Sequence, residues 1–180
     1  MRTLVLTKND FKKNGFYNEY VGEVDLSDFA GHLEIEADLG WVSFSGAVRV
    51  TGYIWAKAGT GIKAGTGIEA GWGIEAGTGI KAGWGIKAGE GIKAGWGIEA
   101  GERIEAGEGI EAGLGIEAGE GIRCGLTITC TAKIIFKFQL FAGVCTWRKV
   151  EPADQVITCA DIQGGEVVLG TVKKLSKGVI

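Results

Sequence analysis

The sequence is poor in the residues that mark several common protein classes. Its 180 residues include only one proline, one histidine and one methionine. A single proline excludes a collagen-like chain, in which proline is abundant and glycine occupies every third position. The histidine, His32, has no motif around it, so we favour a structural histidine over a catalytic base.

Long hydrophobic runs are also missing. No segment approaches the ~20 apolar residues that a membrane-spanning helix requires. The opening stretch, MRTLVLTKNDFKKNG, has only a short apolar run before its lysines. This does not match a secretory signal peptide. We therefore predict a cytoplasmic protein without a membrane segment.

Cysteine and charge add further exclusions. The four cysteines (Cys124, Cys130, Cys145 and Cys159) fit neither a CxxC zinc pattern nor a dense disulfide framework. We expect reduced, mostly buried thiols, and we predict no metal, no cofactor and no catalytic residues. The segment from Glu99 to Glu120 contains seven glutamates and only one basic residue, Arg103, which indicates a local acidic surface. Without a basic stripe, direct nucleic-acid binding is not expected.

A six-residue repeat dominates what is present. Isoleucine recurs at every sixth position from Ile62 to Ile128, in the phrase Ile-x-Ala-Gly-x-Gly. This period does not fit the 3.6-residue helical turn, and each glycine would cost a helix about 1 kcal/mol. In a strand, Ile and Ala point to one face and the residue between them points to the other. Each phrase therefore predicts a short strand, with Gly-x-Gly supplying the backbone freedom for a corner. Repeated phrases predict a stacked solenoid.

The number of phrases in one coil stays open. The residue after isoleucine is charged in nearly every phrase, so charged ladders should form outside the coils. Two-phrase coils would give six opposite-sign and three like-sign contacts, and three-phrase coils would give six and two. These counts do not separate the two. Trp72, Trp84 and Trp96 are twelve residues apart and would form one aromatic column only in a two-phrase coil.

The repeat resembles the hexapeptide-repeat left-handed β-helix family, whose coils are three-sided prisms. The resemblance covers about residues 56–133. In that family the small inward residue precedes the aliphatic one by two, whereas Ala64 follows Ile62 here, so coil shape and handedness do not transfer. The family resemblance implies an acyltransferase as the alternative function. The run GIKAGWGIKAGEGIKAGWGIEAG and the tail FAGVCTWRK are similar to glycine-rich hexapeptide proteins of phages and prophages.

The fold prediction is an all-β parallel β-solenoid of six-residue repeats, with two- or three-sided coils and β-rich caps at both ends. The predicted parts are an N-terminal cap over 1–41, a solenoid over 42–133 and a C-terminal cap over 134–180. Within the first cap, KNDFKKNGFYNEY is expected to be a turn-rich lead-in. In the second, Ile134, Phe136, Phe138 and Leu140 should share one face of a strand that closes the solenoid, followed by two short strands about Gly164 and Gly165.

The predicted function is a non-enzymatic interaction protein, a rigid solenoid that binds another macromolecule. Chemical variation is confined to outward positions, above all the middle residue of Gly-x-Gly. Tryptophan is over-represented among residues that dominate interface energies. The predicted partner-binding residues are Trp72, Trp84, Trp96, Glu102, Glu105 and Glu108. We expect a homo-oligomer with a protein partner, and a phage-encoded modulator or inhibitor of a host defence complex is the most specific form of this hypothesis.

Overall fold

The protein is an all-β parallel β-solenoid with three-sided coils, which confirms the predicted fold class. A computed structural model describes residues 1–175, and these contain 23 strands and two short 3₁₀ segments, Lys8–Asp10 and Pro152–Gln155. Ile74 pairs with Ile92, so one coil takes about 18 residues, or three phrases. The two-sided alternative is therefore wrong. No helix in the described residues has the length and hydropathy of a membrane span.

The strands are short and follow one another closely along the chain. In order they are β1 (Arg2–Leu6), β2 (Phe11–Asn14), β3 (Tyr17–Tyr20), β4 (Gly31–Ile35), β5 (Gly40–Phe44), β6 (Val48–Val50), β7 (Ile54–Ala56), β8 (Thr60–Ala64), β9 (Ile68–Ala70), β10 (Ile74–Ala76), β11 (Ile80–Ala82), β12 (Ile86–Ala88), β13 (Ile92–Ala94), β14 (Ile98–Ala100), β15 (Ile104–Ala106), β16 (Ile110–Ala112), β17 (Ile116–Ala118), β18 (Ile122–Cys124), β19 (Ile128–Cys130), β20 (Lys133–Ala142), β21 (Val156–Cys159), β22 (Asp161–Leu169) and β23 (Thr171–Lys174).

Every third strand of the repeat belongs to the same face of the prism. Face I is a nine-stranded sheet in the order β1, β4, β7, β10, β13, β16, β19, β21, β23. Face II contains β5, β8, β11, β14 and β17, and face III contains β6, β9, β12, β15 and β18. The long strand β20 pairs with β17 through its first half and with β18 through its second half. It thereby joins faces II and III into one 14-stranded sheet.

The core is a set of vertical stacks along each face. In-register pairing places isoleucine on isoleucine and alanine on alanine, as for Ile92 on Ile110 and Ala94 on Ala112. The isoleucines of the repeat are at most 1% exposed. Each buried isoleucine contributes about 1.5–3 kcal/mol of transfer free energy. Cys124 takes an alanine position and stays fully buried, so a second small apolar side chain is accommodated there.

The first glycine of each phrase owes its place to close coil packing rather than to backbone freedom. Between Gly61 and Gly125 no glycine has a positive φ, so the expected need for special backbone angles at each corner is wrong. A Cβ on Gly89 would instead overlap the carbonyl oxygen of Gly71 in the preceding coil. A Cβ on Gly91 would lie 3.4 Å from the nearest heavy atom, an ordinary contact.

The N-terminal end is covered by a hairpin that the sequence interpretation missed. The segment expected to be a turn-rich lead-in forms β2 and β3, which pair antiparallel, and β3 joins the edge of face II through β5. Phe11 and Tyr20 from the hairpin pack against Phe44, with ring centroids 6.1 and 5.3 Å away. These three rings close the core at this end.

The C-terminal segment continues the coils. Ile134, Phe136 and Leu140 are buried, but Phe138 is 54% exposed, so the prediction that all four share one inward face is wrong. Gly164 and its neighbour lie within the single strand β22, which pairs along β20, rather than between two strands. Parallel pairing crosses both predicted boundaries, at 41/42 and 133/134, and the three-part division stays a prediction.

The last described strand of face I carries a charge in register with core positions, on a side chain that is 62% exposed. β23 pairs with β21 so that Lys174 lies opposite Cys159, whose side chain is fully buried. The Lys174 ammonium is 2.9 Å from Oδ1 of Asp161. A position that holds alanine or cysteine in the repeat coils thus holds lysine in the last described strand.

Candidate functional site

The corners of the prism carry the most variable residues. We call the middle residue of each Gly-x-Gly the corner slot. Slots in successive coils are joined by backbone hydrogen bonds, as from Glu90 N to Trp72 O (3.2 Å) and from Glu102 N to Trp84 O (3.0 Å). The slots form three columns: Trp72, Glu90, Glu108 and Leu126 between faces III and I; Thr78, Trp96, Leu114 and Ala132 between faces I and II; Thr66, Trp84, Glu102 and Glu120 between faces II and III.

The three predicted tryptophans lie on three different corners. Their exposed fractions are 44% for Trp72, 55% for Trp84 and 54% for Trp96. The single aromatic column expected for a two-phrase coil is therefore wrong, because a twelve-residue step in a three-phrase coil moves to another corner. The indoles instead form a belt around the rod, less than two coils deep. No flat partner surface contacts all three at once.

The predicted acidic residues are also divided. Glu102 follows Trp84 on one corner, whereas Glu108 shares its corner with Trp72, one coil beyond Glu90. Glu105 lies on face III between Lys87 and Arg123 in the neighbouring coils. The sequence interpretation did not select Glu90, although its eighteen-residue distance from Trp72 identifies it once the coil length is known.

The outward positions of the strands form charged ladders, as predicted. Ion pairs join successive coils between Arg49 and Glu69 (3.3 Å), Lys81 and Glu99 (2.6 Å), and Lys93 and Glu111 (3.4 Å). The hydrogen bond to Glu99 raises the pKa of Lys81. Each of these exposed pairs stabilises the fold by no more than about 1 kcal/mol.

His32 supports one of the corner tryptophans. Its imidazole is largely buried and stacks on Tyr53 at 4.1 Å between ring centroids, and Trp72 meets it edge-on at 4.9 Å. The Nδ1 atom accepts a hydrogen bond from the backbone N–H of Tyr53 (3.1 Å). This tautomer leaves the proton on Nε2. The cluster fixes the Trp72 indole, so this tryptophan is held in place before any partner binds.

A furrow runs along face I beside the corner of Trp72. Its floor is formed by Gly73, Gly91 and Gly109, and Tyr53 and Thr127 hold the corresponding positions at its two ends. One wall carries the corner residues Trp72 and Glu90, and the other carries the outward residues Trp55, Glu75, Lys93 and Glu111. The cavity volume is ≈ 510 Å³.

Trp55 is a surface aromatic that the sequence interpretation missed. It is 40% exposed and occupies the outward position of β7, directly beside Glu75. The clear repeats begin after this strand, so the spacing of the phrases did not assign the residue to a slot. The Lys57 ammonium lies over its ring, 5.4 Å from the indole centroid, and Glu34 is the neighbour of Trp55 in the preceding coil.

The furrow has an excess of negative charge. Lys93 pairs with Glu111, and Lys57 pairs with Glu34 at 3.4 Å. Within residues 1–175, Glu75 and Glu90 form no ion pair. At the Tyr53 end, the phenol donates a 2.8 Å hydrogen bond to Glu34, which raises the pKa of Tyr53.

The equivalent positions of the other faces are obstructed. On face II the indole of Trp41 lies over Gly61 and Gly79. On face III, Arg103 replaces the floor glycine and pairs with Glu120 at 2.9 Å. Face I therefore has the longest open floor of the three.

The thiols and acidic residues present no reactive cluster. All four cysteines are free, and Cys124, Cys130 and Cys159 are buried. Burial raises the pKa of Cys124 and of Cys130 to about 12, so both thiols stay protonated and unreactive at neutral pH. In residues 1–175 no three or more histidine, cysteine, aspartate or glutamate side chains are grouped as they would be around a metal ion.

No protein-family model, curated protein or solved structure matches the chain.

Proposed function

We propose that this protein is a non-enzymatic interaction protein, a rigid three-sided rod whose corners bind another protein. The observation that carries the proposal is the exposure of Trp72, Trp84 and Trp96 on a scaffold whose core is closed by in-register pairing. Exposed tryptophans on a rigid support lose little conformational entropy on binding, and this favours their role as interface anchors. The predicted similarity to phage and prophage proteins extends the proposal to a modulator or inhibitor of a host defence complex.

Each corner offers a different chemistry to a partner. Trp84 lies beside Glu102, so this corner suits a surface with basic and apolar groups. Trp96 lies beside Leu114, which is also 54% exposed, and together they form an apolar ridge. We assign self-association, most simply as a dimer, to the ridge of Trp96 and Leu114, because cyclic dimers are the commonest closed assembly. We expect light scattering to give a molar mass above that of the 18.9 kDa monomer. The variant Leu114→Glu should return the mass to that of the monomer.

The test of partner binding uses substitutions that the rod already contains. Thr66 lies one coil before Trp84 on its corner, and Thr78 lies one coil before Trp96. The double variant Trp84→Thr, Trp96→Thr should therefore keep its circular dichroism spectrum and melting temperature. Wild type and variant are immobilised, exposed to lysate of the source cells, and compared by quantitative mass spectrometry.

The expected result is a protein captured by wild type and depleted by about tenfold or more on the variant, since anchor tryptophans contribute 2 kcal/mol or more. Glu117→Gln, an outward change on face II that leaves all three tryptophans in place, serves as the control and should capture the same proteins as wild type. Identical captures by all three would contradict the proposal. Binding and turnover of an acyl-coenzyme A would favour the acyltransferase alternative instead.

A further inference from the structure

We infer that the furrow of face I binds an extended segment of a partner protein that carries two adjacent arginines. The inference rests on the proposed function, because it names the partner chemistry of one surface of the rod. It is carried by the open glycine floor, the tryptophans on both walls and the unpaired carboxylates beside them.

The two walls present the same pair of side chains in the same order. On the outward wall, Trp55 is followed in the next coil by Glu75. On the corner wall, Trp72 is followed in the next coil by Glu90. Successive coils are about 4.8 Å apart, so each indole has a carboxylate within reach of a single bound side chain.

An arginine side chain fits this arrangement best. The guanidinium stacks on an indole face and at the same time donates two parallel hydrogen bonds to a carboxylate. Glu75 and Glu90 have no ion pair within the described residues, so their charges are available to a ligand. The contacts of Trp72 with His32 and Tyr53 hold the corner indole in place.

The floor favours an extended backbone. Gly73, Gly91 and Gly109 have no side chains, and Tyr53 and Thr127 limit the open length. Three open coil positions of about 4.8 Å each match roughly four residues of extended chain at about 3.3 Å each. Consecutive side chains of an extended chain point to opposite sides, so two adjacent arginines would reach opposite walls.

The experiment measures fluorescence anisotropy of a labelled peptide, Gly-Ser-Gly-Arg-Arg-Gly-Ser-Gly, titrated with the full-length protein. The matched probe replaces both arginines with glutamates. We expect saturable binding of the first peptide alone, weakened by added salt because the contact is electrostatic.

Two pairs of variants locate the binding. Glu75→Gln with Glu90→Gln removes the free carboxylates, and Glu99→Gln with Glu117→Gln makes the same charge change on face II. The first pair should weaken binding about tenfold or more, and the second less than about twofold. Gly91→Thr should block the furrow, as Thr127 already does at its end, whereas Gly97→Thr on face II should not. All variants must retain the wild-type melting temperature.

Several outcomes would overturn the inference. These are equal losses from the two carboxylate pairs, unchanged binding by Gly91→Thr, no binding of the arginine peptide, or binding of a neutral glucan oligosaccharide in its place. The result is separable from the proposed function. Trp84→Thr with Trp96→Thr should leave arginine-peptide binding intact. If the wild-type protein does not bind the arginine peptide but still captures its lysate partner, only the furrow proposal is rejected. The reverse pattern rejects the corner-binding proposal.

Discussion

The two glycines of each phrase have different roles. The first, such as Gly89, lies where a Cβ would overlap the carbonyl oxygen of Gly71 in the preceding coil. The second, such as Gly91, leaves room for a side chain, and Arg103 and Thr127 occupy this position in other phrases. Neither has a positive φ. Steric contact between coils therefore explains the first glycine of the phrase, and the second is permissive.

We expect Gly89→Ala to destabilise the protein by about 3 kcal/mol, because a backbone oxygen cannot move aside as a side chain can. Gly91→Ala should stay within about 1 kcal/mol of wild type, since the added methyl group has space and the unfolded chain loses entropy. Urea unfolding followed by circular dichroism measures both. Equal losses at the two positions would refute the steric explanation.

At the scale of elements, β20 shows that the six-residue period continues beyond the last isoleucine phrase. Ile134 and Leu140 hold isoleucine positions, and Phe136 holds an alanine position. Phe138 falls where the chain turns from face II to face III, in the corner column of Glu120. Simple alternation within one strand predicted it to be buried. The strand bends at the corner, and the period of the solenoid overrides the alternation.

Replacing Phe136 or Phe138 by alanine distinguishes the six-residue period of the solenoid from simple alternation along β20. Phe136→Ala should cost about 3–5 kcal/mol because it leaves a cavity in the closed core. Phe138→Ala should change the free energy of unfolding by less than about 0.5 kcal/mol, because the ring is more than half exposed. Denaturant titrations give both values, and a large loss from Phe138→Ala would contradict its place at the corner.

The sequence predicted the repeat elements well and their arrangement around the axis poorly. Inward isoleucine and alanine, outward charge and the limits of each strand follow from the period alone. The number of phrases in one coil does not follow from the period, because the charged ladders are nearly as favourable with two phrases as with three. That ambiguity put Trp72, Trp84 and Trp96 in one column instead of on three corners.

Outside the regular repeats, tertiary contacts determined what the local pattern did not show. Asn14 and Gly15 were a turn signal for the hairpin of β2 and β3, and Gly15 has a φ of 60°. Trp55 became a wall of the furrow only through its pairing with Glu75, twenty positions along the chain. Contacts at that distance cannot be read from a window of neighbouring residues.

The rod as a whole must avoid stacking end to end without limit, since an uncovered coil offers unpaired strand edges. The first coil is covered by Phe11, Tyr20 and Phe44. At the other end of the described residues, Lys174 of β23 is exposed but lies in register with the buried Cys159, and it pairs with Asp161. A further coil placed on this strand would bury the lysine, and burying a charge is costly. Lys174 therefore opposes continued stacking.

We expect Lys174→Ala to promote concentration-dependent association through this end, because alanine restores the side chain that the stack prefers. Lys173→Ala is the matched control, since Lys173 lies in the outward column of the same strand, opposite Thr158. Multi-angle light scattering over a range of concentrations should show a mass increase for the first variant alone. An identical increase for both would show that net charge, and not the position in register with the core, limits association.

The ratio of three phrases to one coil has a consequence for how such a protein can evolve by gaining or losing repeats. An in-frame gain or loss of one phrase leaves every isoleucine above another isoleucine, yet turns all that follows by a third of a revolution about the rod axis. A terminal segment can thus be re-aimed at a different side of the molecule without any new core substitution. Tandem duplication of a phrase is usually regarded as lengthening a protein. In this architecture it also changes the angle about the rod axis at which the following segment is presented.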